Sequence, residues 1–160
     1  MSVSFKEDIG NRRVYVHIDN LPSRTKRSIR QGFFELGKDL KQTANKEILR
    51  KPKGGRTYIV RGPSGRRRRH VASAPGETHA NLTGKLRRSL GWQVHGAHSM
   101  EFGYGVGGAG AGLKPAPEYA EYVEFGTRKM AARPSLANAI RAVDRNAEKH
   151  FEQAFRKFTK

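Results

Sequence analysis

Two long apolar periodicities constrain this chain more than any other feature. Ile29, Phe33, Leu36, Leu40, Ala44 and Ile48 recur every three or four residues, with Lys and Arg between them. Leu136, Ile140, Val143, Ala147, Phe151, Phe155 and Phe158 repeat the pattern towards the C-terminus. This spacing lays one apolar stripe along an α-helix, so it predicts helices from Ser23 to Leu49 and from Pro134 to Phe158. Pro22 and Pro134 suit helix starts, where a missing N–H leaves nothing unpaired. Gly32 and Gly37 oppose the first helix by about 1 kcal/mol each relative to alanine. Two such stripes must be buried against each other and against something else.

Period-two segments supply that partner. In Arg13 to Asp19, Val14, Val16 and Ile18 alternate with Tyr15 and His17, as in a half-buried strand, and Asn20 to Ser23 breaks it. Trp92 to His95 and Met100 to Val106 read as an antiparallel pair turning at Gly96 to Ser99. Between Asn81 or Thr83 and Leu90 a short helix is expected, ended by Gly91. Gly107 to Pro117 reads as a flexible Gly/Ala/Pro loop. A second short helix at Glu118 to Phe125 closes at Gly126, with Tyr119, Tyr122 and Val123 on one stripe, and with Tyr119, Tyr122 and Phe125 read as core rather than as binding surface. The expected fold is α+β, a small, mostly antiparallel sheet packed against two long helices. At 160 residues the chain is a single domain, 1–160.

Residues 51–76 differ from the rest. Thr57 to Arg61 and Arg66 to Ser73 flank the turn Gly62-Pro63-Ser64-Gly65, which predicts a β-hairpin. Between Glu47 and Glu77 there are nine Lys or Arg residues and no acid. So basic a segment cannot be core, and it is expected to project as a mobile arm. Its polyanion or partner contacts would be Arg61, Arg66, Arg67, Arg68 and Arg69. Alternate arginines of a strand face opposite ways, which suits nonspecific contact better than base reading. A solvated hairpin tip with no partner is the other possibility.

The net charge of +18 attracts polyanions and repels other copies of the chain. There is no cysteine, so packing alone stabilises the fold. Met1 to Asp8 has no apolar signal region, and no apolar run reaches the roughly 20 residues of a membrane helix. No metal or cofactor is expected: His95 and His98 are the only close histidine pair, and they stand in a turn. Gly103 to Gly108 matches GxGxxG formally, but it lies in a strand running into a loop, not at a strand-to-helix turn. No serine has an informative histidine and acid spacing. The expectation is a protein that is not an enzyme.

Glu118, Glu121 and Glu124 are three of only 14 acids and share one short helix. They form either a solvated face or an acidic surface for a neighbouring copy's arginines, a head-to-tail geometry. With Phe125, Arg128 and Arg133 they make the expected subunit interface.

Tyr119 to Thr127 followed by Ala132-Arg133-Pro134-Ser135-Leu136 resembles the tail-component (neck and tail-completion, minor tail protein Z-like) family of long-tailed bacteriophages. Ala72-Ser73-Ala74-Pro75-Gly76-Glu77 and Thr83-Gly84-Lys85-Leu86-Arg87-Arg88-Ser89-Leu90 resemble a second motif of that family. One departure is Thr78-His79, where such sequences often carry proline, which bears on the local turn. The resemblance implies a virion structural protein of the head–tail junction, assembled in the host cytoplasm as a ring, hexameric by tail symmetry. It further implies contact with a head connector or stopper and with tail-terminator or tail-tube proteins, with DNA passing through the ring. A tail terminator capping the tube is the alternative within the class. A nonspecific nucleic-acid-binding module is the alternative outside it.

Overall fold

The computed structural model describes residues 3–8, 11–16, 22–62, 64–107 and 115–158, the first two stretches as backbone only. The chain is α+β. In order its elements are β1 (Val3–Asp8), β2 (Asn11–Val16), α1 (Ser23–Leu49), β3 (Thr57–Arg61), β4 (Arg67–Val71), α2 (Lys85–Arg88), β5 (Leu90–His95), β6 (Ser99–Tyr104), α3 (Ala120–Phe125) and α4 (Ser135–Phe158).

One antiparallel sheet has the order β1-β2-β6-β5, and β3 with β4 forms a separate hairpin. β1 was not anticipated. β2 begins two residues before the expected strand, and the expected continuation through residues 17–19 lies outside the described residues. So do 20–21, Pro63 and most of the Gly/Ala/Pro loop, 108–114. The β5–β6 register pairs Trp92 with Phe102, Val94 with Met100 and Leu90 with Tyr104, which puts these side chains on one face. Gly91 lies within β5 and ends no helix, so α2 is a single turn.

The apolar stripes behave as their periods require. Ile29, Phe33, Leu36, Leu40, Ala44 and Ile48 are all buried, as are Leu136, Ile140, Val143, Ala147 and Phe151. α1 lies against β5 and β6, and its most extensive contact is with α4. The two helices run antiparallel. At one end Phe151 covers Gly32. At the other, Lys53 donates to Glu47 O and Thr78 O, and Asn138 donates to Thr78 Oγ1. Beside Phe151, His150 Nε2 and Asp39 Oδ2 are 3.0 Å apart.

Both helix glycines now have a reason. A Cβ at Gly32 would overlap the Phe151 ring, and one at Gly37 would overlap the Trp92 indole. Each glycine gives up helix propensity so that an aromatic ring can lie against the α1 backbone. Phe151 also meets Phe33 edge to face, with centroids 5.2 Å apart.

Phe151→Ala and Phe33→Ala are therefore expected to lose about 3–5 kcal/mol each. Urea denaturation measures this, and two unchanged midpoints would mean the helix faces pack elsewhere.

Candidate functional site

Three segments far apart in sequence meet near the start of α4. Gly76 N–H donates to Ala132 O at 2.9 Å, and Arg133 N–H donates to Val123 O at 2.8 Å. Arg133 Nε donates to Ser73 O at 3.1 Å. Glu77 closes the turn after the hairpin: its carboxylate accepts from Ala74 N–H at 2.8 Å and from Gly54 N–H at 3.0 Å. Those backbone donors hold its pKa below the usual carboxylate range, helped by Lys53. The 72–77 and 132–136 segments thus form one bonded junction at the base of the hairpin.

Glu124 anchors that junction. It is 2% exposed, and its carboxylate accepts N–H bonds from Leu136 at 3.0 and 3.2 Å and from Ala137 at 3.1 Å. These are free donors of the first turn of α4, where the helix dipole also favours an anion. The expected acidic face of three glutamates is corrected accordingly. Glu118 and Glu121 are exposed, but Glu124 caps α4 from inside. Arg133 is likewise bonded within its own chain, whereas Arg128 is exposed.

A second correction concerns the aromatics of α3. Tyr119, Tyr122 and Phe125 are 42, 56 and 45% exposed, so only Val123 of the expected core stripe packs inward. The inward face is taken by Ala120, Val123 and Glu124 because α3 is positioned by its carboxylate. Gly126 ends the helix with φ +80°, and a Cβ there would stand 2.7 Å from Met130 O. Only glycine tolerates both conditions.

The arm is the predicted hairpin, with Arg61 opposite Arg67, Ile59 opposite Arg69, and Tyr58 opposite His70. Directly opposed residues share a face. Arg61, Arg67 and Arg69 therefore surround Ile59 on one face, while Arg68 and His70 accompany Tyr58 and Val60 on the other. The second face turns towards the body, for Arg68 donates to Leu82 O at 3.1 Å. Arg66 to Arg69 are all exposed.

Ser135 and His79, separated by 56 positions, form a buried pair that no spacing rule could reveal. His79 Nδ1 shares a hydrogen bond with Ser135 Oγ, and His79 N–H donates to the same oxygen at 3.3 Å. Ser135 is fully buried. His79 Nε2 has no partner among the described residues. Burial, with the nearby Lys53 charge, pushes the His79 pKa down to about 4. The Tyr104 ring lies beside it, centroids 6.3 Å apart. Its hydroxyl neighbours Ser135 without a well-aligned hydrogen bond, and burial together with the Glu124 charge holds the phenol far above its ordinary pKa.

Among the described residues, no three His, Cys, Asp or Glu side chains converge as a metal site, and no helix is long and apolar enough to cross a membrane. Comparison with protein-family models, curated proteins and solved structures finds no match.

Two measurements check the junction. Glu124→Ala, which leaves the α4 donors unpaired, is expected to cost roughly 2–4 kcal/mol, with Glu124→Gln in between. A loss under about 0.5 kcal/mol for the alanine variant would contradict the capping role. The depressed His79 pKa means that the folded state resists a proton the unfolded chain accepts. Its stability contribution is therefore intact above the unfolded value of 6.5 and is lost as pH falls towards about 4. Relative to His79→Gln, the wild type should lose about 2 kcal/mol between pH 7 and pH 5. Parallel pH profiles for the two proteins would refute it.

Proposed function

We propose that this chain is a structural subunit of the bacteriophage head–tail junction, assembling as a ring that joins or completes the tail and lets DNA pass. The observation that carries the proposal is the bonded junction itself. The segments that resemble the tail-component family, 72–77 and 119–136, are interlocked by Gly76–Ala132, Arg133–Ser73 and Glu124–Leu136. Motifs shared by chance have no reason to lie in register against each other. Three further features support the proposal. A basic arm projects from a packed body. An exposed acidic and aromatic helix, α3, offers an unlike surface. Ser135, the one serine bonded to a histidine among the described residues, is fully buried.

Unlike surfaces on one subunit favour heterologous contacts, and a closed set of these is a ring. By the same resemblance the ring is hexameric and sits in the neck of the virion, between the head connector or stopper and the tail-terminator or tail-tube proteins. The mechanism is assembly, without a chemical step.

The arginine face of the arm also favours a second possibility, nonspecific nucleic-acid binding. Arg61, Arg67 and Arg69 are exposed together, as a phosphate contact requires. We favour docking on protein, because exposed Ile59 stands at the centre of that face and Arg68 is already engaged with Leu82. Changing Arg66 to Arg69 together to serine separates the two. Phosphate contact would give a salt dependence of DNA affinity shallower by about 3–4 units of log–log slope in the variant. Docking predicts unchanged DNA affinity and failure of head–tail joining in vitro, with an intact melting temperature. Normal joining by the variant with DNA binding lost would overturn docking. Electron microscopy of tagged particles checks the location, and absence of the protein from the neck would overturn the head–tail proposal.

A further inference from the structure

The stripe of α3 left exposed by Glu124 has a definite composition. Glu121, Tyr122 and Phe125 are exposed on α3, and Glu118 is exposed in the turn just before it, so two acids and two aromatic rings crowd one exposed segment. Neither acid forms an ion pair among the described residues, and α3 cannot swing to find one, because Glu124 and Val123 fix it to α4 and Arg133. A short exposed helix carrying aromatic anchors suits a groove.

A groove of matching chemistry lies elsewhere on the same subunit. Between the end of α1 and strand β4 there is an open cavity of about 670 Å³. Leu49 and Leu82 line it, 50 and 40% exposed, and Arg50, Lys51, Arg68 and Arg69 surround them. No acid lines it. Exposed leucines among these cations, of which Arg50 already pairs with Glu47 at 3.6 Å, call for an occupant that is apolar and negative at once. Nucleic acid would satisfy the cations and leave the leucines in water. The α3 stripe would satisfy both, with Tyr122 and Phe125 on the leucines and Glu118 and Glu121 on the cations. None of those four residues lines the groove of its own chain.

We propose that α3 of one copy docks into the groove between α1 and β4 of the next copy. The contact is heterologous, each subunit giving a helix on one side and receiving one on the other. Its closure into a ring rests on the proposed head–tail function, whereas the pairing of helix and groove rests on composition and exposure alone. The groove shares Arg68 and Arg69 with the arm, so docking would also hold the arm against a neighbouring subunit.

The absence of cysteine makes the test direct. Tyr122→Cys and Leu49→Cys are prepared as separate single variants, both at exposed positions, with retained melting temperature as the check on folding. Glu148→Cys, exposed on the outer side of α4, is the control partner. Mixed under oxidising conditions, Tyr122→Cys and Leu49→Cys should give a disulfide-linked pair, and Tyr122→Cys with Glu148→Cys should not. Adding Glu121→Arg to the helix variant should lower the yield by up to about fivefold, the size of an exposed ion pair. Adding Arg50→Glu to the groove variant should restore it. Equal linking to the control, linking of Leu49→Cys to itself alone, or no linking in either free protein or particles would overturn the contact. If the pair fails to link while the protein is found in the neck, the contact is wrong and the head–tail role stands. If the pair links while the protein is missing from the neck, the contact stands and that role falls.

Discussion

The carboxylate of Glu124 against the first turn of α4 is the interaction on which the arrangement of surfaces depends. It joins the ends of two helices that are otherwise connected only by an irregular stretch from Gly126 to Pro134. A buried carboxylate is costly unless its oxygens are satisfied. Here three N–H contacts and the positive end of a 24-residue helix satisfy them. Once α4 starts at that point, Ser135 is placed against His79 and Arg133 against Ser73. The turn after the arm is thereby tied to the body, and the outer side of α3 is set facing solvent.

Stability and recognition are divided between different parts of the chain. The body is held by α1, α4 and one face of the sheet, where Phe33, Phe151, Trp92 and Phe102 interdigitate around glycines that admit them. The arm contributes no residue to that core. It can therefore carry an unbroken run of arginines without strain on the fold. Its links to the body are polar: Gly76 with Ala132, Ser73 with Arg133, and Arg68 with Leu82.

The division also explains what could be read in the chain beforehand. The boundaries of α1 and the identity of its buried residues were legible, since a 3.6-residue period sustained over 27 residues admits one interpretation. The hairpin was legible because its turn residues and its lack of large apolar side chains agree. β1 was not, because Val3 and Phe5 are its only apolar residues and so short an alternation becomes a strand only through pairing with β2. For α3 the error has a physical source. Over six residues, period alone cannot decide which side faces inward. The decision belongs to the α4 N-terminus, which recruits the side bearing Glu124 and so turns Tyr119, Tyr122 and Phe125 outward. The Ser135–His79 pair was invisible for a related reason, because its partners are joined only by the finished fold. Thr78-His79, singled out as a departure from the resembling sequences, proves to be buried and bonded at the junction.

In the proposed docking of one copy on the next, a chain of charge +18 faces two electrostatic terms of different range. Repulsion acts between whole subunits and is screened over about 8 Å at physiological ionic strength. Attraction between Glu118 or Glu121 and the cations around Leu49 and Leu82 acts only at contact, in an environment that the apolar residues partly dry. Copies kept apart at a distance can thus still hold once placed side by side. A template that positions them would decide when that happens. Such a balance suits a subunit that should not polymerise free in the cell, and it needs the acids to be few and local. Committing Glu124 and Glu77 to bonds within the chain, while leaving Glu118 and Glu121 on the surface, confines the proposed acidic contact to α3 and the turn before it.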